Sequence, residues 1–183
     1  MIDIKRLIKE ALAKIKRKYD YGCVLVNVLY DKEMWDDIQS KIDDKDIIEI
    51  TKENNVGRED EPHITILYGL HSDVSDKDVE KLIENVKNIK FSIDGVSIFE
   101  NEDFDVLKFD VKSKDLQKLN KLFKELPHTS KYPDYHPHLT ITYLKAGKGK
   151  KYLKSFENFK DIDFDIDKII YSKPNGKKKY FPL

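Results

Sequence analysis

Apolar residues at Ile4, Leu7, Ile8, Leu12 and Ile15 recur at helical spacing with Lys5, Arg6, Lys9, Lys14, Lys16, Arg17 and Lys18 between them. This spacing predicts an amphipathic basic helix over residues 1–20 that ends at Gly22 and packs its stripe on the domain formed by 21–183. Cys23 to Tyr30 is rich in Val and Leu and reads as a buried strand; Glu33 to Ile42 reads as a short helix with Met34, Ile38 and Ile42 on one side. Residues 43–60 are polar and read as loop, with a short strand possible at Ile47 to Ile50. His63 to Tyr68 follows as a strand, then Ser75 to Asn88 as a helix opened by a Ser-x-x-Asp cap, and Lys90 to Phe99 as a strand. Leu107, Phe109 and Val111 alternate along the strand Phe104 to Val111, and Ser113 caps a helix whose stripe is Leu116, Leu119, Leu122, Phe123 and Leu126. Leu139 to Leu144 and Ile162 to Tyr171 complete the strands, with Pro174, Asn175 and Gly176 forming a turn before Tyr180 and Phe181. Helices and strands mix without the Gly-rich turn of a doubly wound nucleotide-binding sheet. The expected class is α+β, two antiparallel-rich sheets flanking a central cleft with helices outside.

Composition narrows the function. The chain has 183 residues, with 34 Lys and Arg balanced by 34 Asp and Glu, so its net charge is zero. That balance removes the positive field that drives sequence-independent binding to long nucleic acid, while a local patch still suffices for a small anion. No apolar run is long enough to span a bilayer, and the N-terminus lacks the apolar core of a secretion signal. The single Cys23 forms no internal disulfide and is read as a buried structural thiol. Together these point to the cytoplasm.

The chemistry lies in a repeat. Pro62-His63-Ile64-Thr65-Ile66-Leu67-Tyr68 returns 75 residues later as Pro137-His138-Leu139-Thr140-Ile141-Thr142-Tyr143, with five of seven positions identical. In a strand His63 and Thr65 share one face, as do His138 and Thr140. Two half-sheets related by an approximate two-fold axis would bring two imidazoles and two hydroxyls to one cleft, the constitution of a phosphate site. Imidazole titrates near neutrality, so one ring serves as base and the other as acid, while the threonine hydroxyls donate to non-bridging oxygens. This chemistry requires no metal or other cofactor.

These motifs resemble the 2H phosphoesterase superfamily, named for paired His-x-Ser/Thr motifs, and the resemblance implies a bilobal fold with two pseudo-symmetric lobes around the cleft. More narrowly, Tyr21-Gly22-Cys23-Val24, Glu61 through His71, Phe99-Glu100-Asn101-Glu102, Leu126 through Thr129 and Tyr132 through Thr140 are similar to the phage anti-CBASS cyclic-oligonucleotide phosphodiesterases. The similarity runs from about Tyr21 to Tyr152. It implies a metal-independent enzyme that linearises the cyclic di- and trinucleotides bacteria make as an infection alarm, in the host cytoplasm if phage-encoded. A ribose 2′-hydroxyl attacks the adjacent phosphorus, and a 2′,3′-cyclic phosphate forms before hydrolysis. The sequence does not say which histidine is the base. Two other readings stand beside it: a phosphodiesterase acting on RNA ends that carry 2′,5′ linkages or 2′,3′-cyclic phosphate, and a non-catalytic nucleotide sponge.

Phe99, Tyr21 and Tyr132 are the candidates for stacking on a base, by their place in the family-like segments. Lys145, with Lys148, Lys150 and Lys151, forms a basic stretch suited to closing on phosphates. Tyr68 and Tyr143 fall on the face opposite the histidines if the strands are regular, and are read as packing residues. His136-Pro137-His138 is a possible metal pair without an evident third ligand. His71 and His128 are expected to play structural parts, and Glu59, Asp60 and Glu61 to form a solvated loop.

Overall fold

The computed structural model describes residues 21–49, 57–130 and 132–183. The predicted helix over 1–20 lies outside them. The chain runs β1 (Gly22–Val28), α1 (Lys32–Ser40), β2 (His63–Leu70), α2 (Asp76–Ile83), β3 (Lys90–Glu100), β4 (Phe104–Lys112), α3 (Lys114–Phe123), β5 (His138–Lys145), β6 (Asp163–Ser172) and β7 (Lys178–Pro182). Short 3₁₀ segments cover Asp44–Asp46 and Lys150–Phe156. The first lies just before Ile47 to Ile50, where the sequence allowed a strand; among the described residues of that stretch, Ile47 forms a single bridge to Leu144.

Each helix starts on a side-chain oxygen. Asp31 accepts from the Met34 amide, Ser75 and Asp78 form a reciprocal capping box, and Ser113 accepts from the Leu116 amide. α2 stops at Ile83, short of the predicted Asn88, because the chain turns there and Asn88 takes a left-handed φ of 54°. Val86 keeps the apolar spacing through that turn, so periodicity alone overruns the helix. The Pro174–Gly176 turn is present, and residues beyond it add the strand β7 against β6.

All strand pairings are antiparallel, and the class is α+β as expected. Two lobes are visible, β2–β1–β6–β7 and β5–β4–β3. They are joined into one sheet by the pair Ile64–Leu139 on one side and by Lys90 to Ser92 against Asp163 to Asp165 on the other. The helices cross over: α1 packs on β5, and α3 packs on β2 and β3. Alternation puts Val24, Val26, Val28, Ile64, Leu107, Phe109, Leu139 and Ile141 in the buried core and turns the other face of each motif strand toward the cleft. No described helix is long and apolar enough to cross a membrane.

Candidate active site

The one register pair between the motif strands sets the geometry. Ile64 faces Leu139 across β2 and β5, and both side chains are buried in the core. Their neighbours therefore point the other way, into the cleft. The antiparallel sense brings Thr140 toward the His63 side and Thr65 toward the His138 side, so each imidazole stands beside the other motif's threonine, with strand neighbours about 5 Å apart. The four residues read from the repeat thus meet on one face.

Both imidazoles are held in the same way. Nδ1 of His63 lies 2.9 Å from the carbonyl of Glu61, and Nδ1 of His138 lies 2.9 Å from the carbonyl of His136. A carbonyl only accepts, so each Nδ1 carries the proton and each Nε2 is left for substrate. The surroundings then differ. Burial is the main cause that pushes the His138 imidazole below its ordinary pKa; the Lys108 ammonium and the His63 ring act in the same direction, against the His136 carbonyl and Asp110. His63 has a carboxylate beside it, with Oε1 of Glu59 3.7 Å from Nδ1. Glu59 is not a solvated loop residue as read from sequence. Its oxygen accepts from the Glu61 amide at 3.2 Å, and burial pushes its carboxyl upward, against the pull of His63.

The cleft face continues in both lobes. Asp110 pairs with His138 and Lys108 with Thr140 in the β4–β5 register, and Ser97 pairs with Lys108 in β3–β4. Lys108 is 4% exposed, unusual for a lysine; its ammonium donates to Asp110 Oδ1 and, at 2.6 Å, to Ser97 Oγ. That ammonium also lies 4.2 Å from the centroid of the Phe99 ring, whose edge-on contact with His138 spans 5.0 Å between centroids.

A correction concerns the two tyrosines. Leu25 pairs with Thr65 but Val24 pairs with Leu67, leaving Ile66 as an extra residue in β2; Lys108 pairs with Thr140 but Leu107 with Thr142, leaving Ile141 extra in β5. A bulge of one residue shifts the alternation. Beyond it Tyr68 and Tyr143 lie on the histidine face, not the core face predicted for regular strands. The same position is bulged in both repeats, and a helix carboxamide caps each bulge: Asn120 of α3 donates to the Ile66 carbonyl at 2.7 Å, and Gln39 of α1 to the Ile141 carbonyl at 2.8 Å. Tyr143 has Thr140 as a polar neighbour and Phe104 against its ring at 6.0 Å. Cys23 is half-buried with Thr65 as its polar neighbour, and burial pushes its thiol up to about 11, which suits the structural reading.

Of the other residues read from sequence, Phe99 stands against His138 and is 41% exposed. Tyr21 immediately precedes β1, its ring 6.3 Å from Tyr68. Tyr132 is exposed on the loop between α3 and β5, and its amide and carbonyl bond Ser130. Lys145 closes β5, seven residues from His138, and donates to the Lys45 carbonyl at 2.8 Å; it is not brought to the histidines. His71 bonds Thr129 at 2.8 Å, and His128 bonds the Leu126 carbonyl, tying loops together. Among the described residues no three His, Cys, Asp or Glu side chains gather as metal ligands.

Fold and face describe a bilobal scaffold with paired His-x-Thr strands, the layout of a 2H phosphoesterase. A family model of the 2′-5′ RNA ligase superfamily matches residues 32–177, and the chain belongs to that superfamily. Among solved structures, Usb1 from Kluyveromyces marxianus superposes with a TM-score of 0.58 at 10% identity, covering 90% of this chain and 99% of that one. LigT from E. coli complexed with 3′-AMP superposes with a TM-score of 0.55 at 13% identity, covering 89% and 95%. At such identities these neighbours show the shared fold. No curated protein sequence matches.

Proposed function

We propose that the protein is a metal-independent phosphodiesterase that cleaves ribonucleotide phosphodiesters by internal attack of a 2′-hydroxyl. The observation that carries this reading is the convergence of His63, Thr65, His138 and Thr140 on one cleft face, each Nδ1 bonded to the carbonyl two residues before it. His138 is the base: its lowered pKa leaves Nε2 unprotonated at neutral pH, ready to take the proton of the 2′-hydroxyl. The freed oxygen bonds to phosphorus as the bond to the 5′-oxygen breaks. His63 is the acid: its Nε2 proton passes to that leaving oxygen, and Glu59 supplies a counter-charge for the imidazolium form. Thr65 and Thr140 donate to the non-bridging oxygens as charge builds. The products are a 2′,3′-cyclic phosphate and a 5′-hydroxyl, and reversed roles let water open the cycle to a terminal phosphate.

The resemblance of the motif segments to anti-CBASS enzymes makes cyclic di- and trinucleotides the first substrate class. The superfamily and the fold shared with Usb1 and LigT, whose structures include complexes with uridine monophosphate and 3′-AMP, support RNA ends as the second. The test incubates the protein in EDTA with 3′,3′-cyclic GMP-AMP, a cyclic triadenylate and a short oligoribonucleotide, and resolves products by mass spectrometry. Linear products from the cyclic compounds support the first class; trimmed RNA with intact cyclic compounds supports the second. His63→Ala and His138→Ala should each lower turnover by at least about a hundredfold, the typical contribution of one general acid or base. Full turnover in either variant, or nucleotide recovered bound but intact, overturns the mechanism.

A further inference from the structure

Tyr68 is 61% exposed, although it sits in the middle of a strand whose other side is core. On β1 the residues Asn27, Leu25 and Cys23 share one face, and they pair with His63, Thr65 and Tyr68 respectively. The tyrosine therefore shares the catalytic face and lies two β1 residues beyond Thr65, about 7 Å further along the cleft. The Ile66 bulge is what turns it there, and the buried Asn120 amide holds that bulge. Tyr21 contacts the Tyr68 ring edge-on at 6.3 Å, and His71 lies 6.0 Å from Tyr21, so the ring belongs to an ordered aromatic group. On the other lobe Phe99 stands against His138, backed by the Lys108 ammonium. The scissile phosphate at the histidines thus has a flat, exposed side chain on each side.

Building on the phosphodiesterase reading, we infer that Tyr68 stacks on one base of the substrate while Phe99 takes the other, so that the substrate is a phosphodiester carrying a nucleoside on both sides. Tyr68 stands on β2 beyond Thr65, and Phe99 stands on the other lobe against His138, so the two rings lie on opposite lobes of the cleft and each is placed to take one base. Stacking on an aromatic ring holds any base, so Tyr68 sets the requirement for a second nucleoside without selecting its identity.

The experiment measures equilibrium binding of two probes by calorimetry. One is adenylyl-adenosine with a 2′-O-methyl group at the attacking position, which cannot be cleaved; the other is 3′-AMP, which lacks the leaving nucleoside. Tyr68→Ala and Phe99→Ala should each weaken the dinucleotide about tenfold or more, in line with the usual worth of one stacked base, and one of the two variants, not both, should weaken 3′-AMP. Tyr68→Phe should restore the dinucleotide. Unchanged dinucleotide binding in Tyr68→Ala, or loss of 3′-AMP binding in both variants, overturns the inference while leaving the phosphodiesterase reading in place. Binding of neither probe by the unmodified protein overturns both.

Discussion

Replacing Asn120 by Leu tests whether the first bulge depends on its helix cap. Asn120 is 4% exposed in α3, and its amide donates at 2.7 Å to the carbonyl of Ile66, itself 1% exposed. Leucine has the same branched shape and number of side-chain heavy atoms, so the change removes the donor without leaving a cavity. A buried acceptor left without its partner costs about 1–3 kcal/mol, and leucine returns about 0.5 kcal/mol through its better helix propensity. The expected net loss is about 0.5–2.5 kcal/mol. With a urea m-value of about 2 kcal/mol per molar, the midpoint falls by about 0.25–1.25 M while the slope stays the same. Gln39→Leu is the internal control. The Ile141 carbonyl keeps a second donor, the Glu59 amide at 3.3 Å, and Gln39 is only half-buried, so its loss should stay under about 1 kcal/mol. Urea titrations of the two variants, followed by circular dichroism, decide the matter. A loss below about 0.5 kcal/mol for Asn120→Leu, or a larger loss for Gln39→Leu, would show that the ladder holds the bulges without the caps.

Two further outcomes follow from the same structure. In Lys108→Met, removal of the ammonium takes away a charge that lowers the His138 pKa and leaves Asp110, which raises it; the His138 ring should titrate at higher pH by NMR, and an unchanged or lower value refutes the coupling. Gly69 has φ +107°, and a Cβ built there would stand 2.0 Å from the Thr129 carbonyl oxygen, whereas Gly176, at φ +80°, has open space around it. Gly69→Ala should therefore lose more than about 2 kcal/mol in thermal unfolding and Gly176→Ala only about 1 kcal/mol, and equal losses would mean that the clash is relieved by loop movement.

Much of this arrangement was legible because alternation is a local property. The repeat put His63 with Thr65 and His138 with Thr140, and alternation along 104–111 placed Leu107, Phe109 and Val111 in the core. The same alternation already consigned Lys108 and Asp110 to the opposite face, the one His138 looks across, so the buried lysine was readable once β4 and β5 were known to pair. Pairing was the missing step, since it is decided by contacts far apart in sequence. Glu59 carried a weaker signal, four residues before His63 in a stretch whose polarity suggested solvent. Tyr68 and Tyr143 were misplaced for a different reason. A bulge leaves no mark in the apolar pattern when the inserted residue is itself apolar, and Ile66 and Ile141 both are. What did mark them was recurrence at the same place in both repeats, together with a buried Asn in α3 that alternation and helical spacing alike would have made leucine.

The two halves, alike in backbone, part company in burial and charge, and the proposed acid and base roles rest on that difference. Identical Nδ1 anchors fix both rings with Nε2 toward the cleft, so neither geometry nor tautomer separates acid from base. The separation comes first from burial, which is the main cause lowering the His138 pKa, and then from the neighbours each lobe supplies: a carboxylate beside His63, an ammonium shared between Asp110, Ser97 and the face of Phe99 beside His138. A symmetric pair of histidines would favour neither direction of proton transfer. Placing the lysine on one side biases that ring toward the neutral form, while burying it under Phe99 and binding it to Asp110 keeps its charge from the solvent and its ammonium in a fixed position. Burial together with charge placement thus distinguishes two rings carried on duplicated strands, and the proposed division of acid and base rests on that difference.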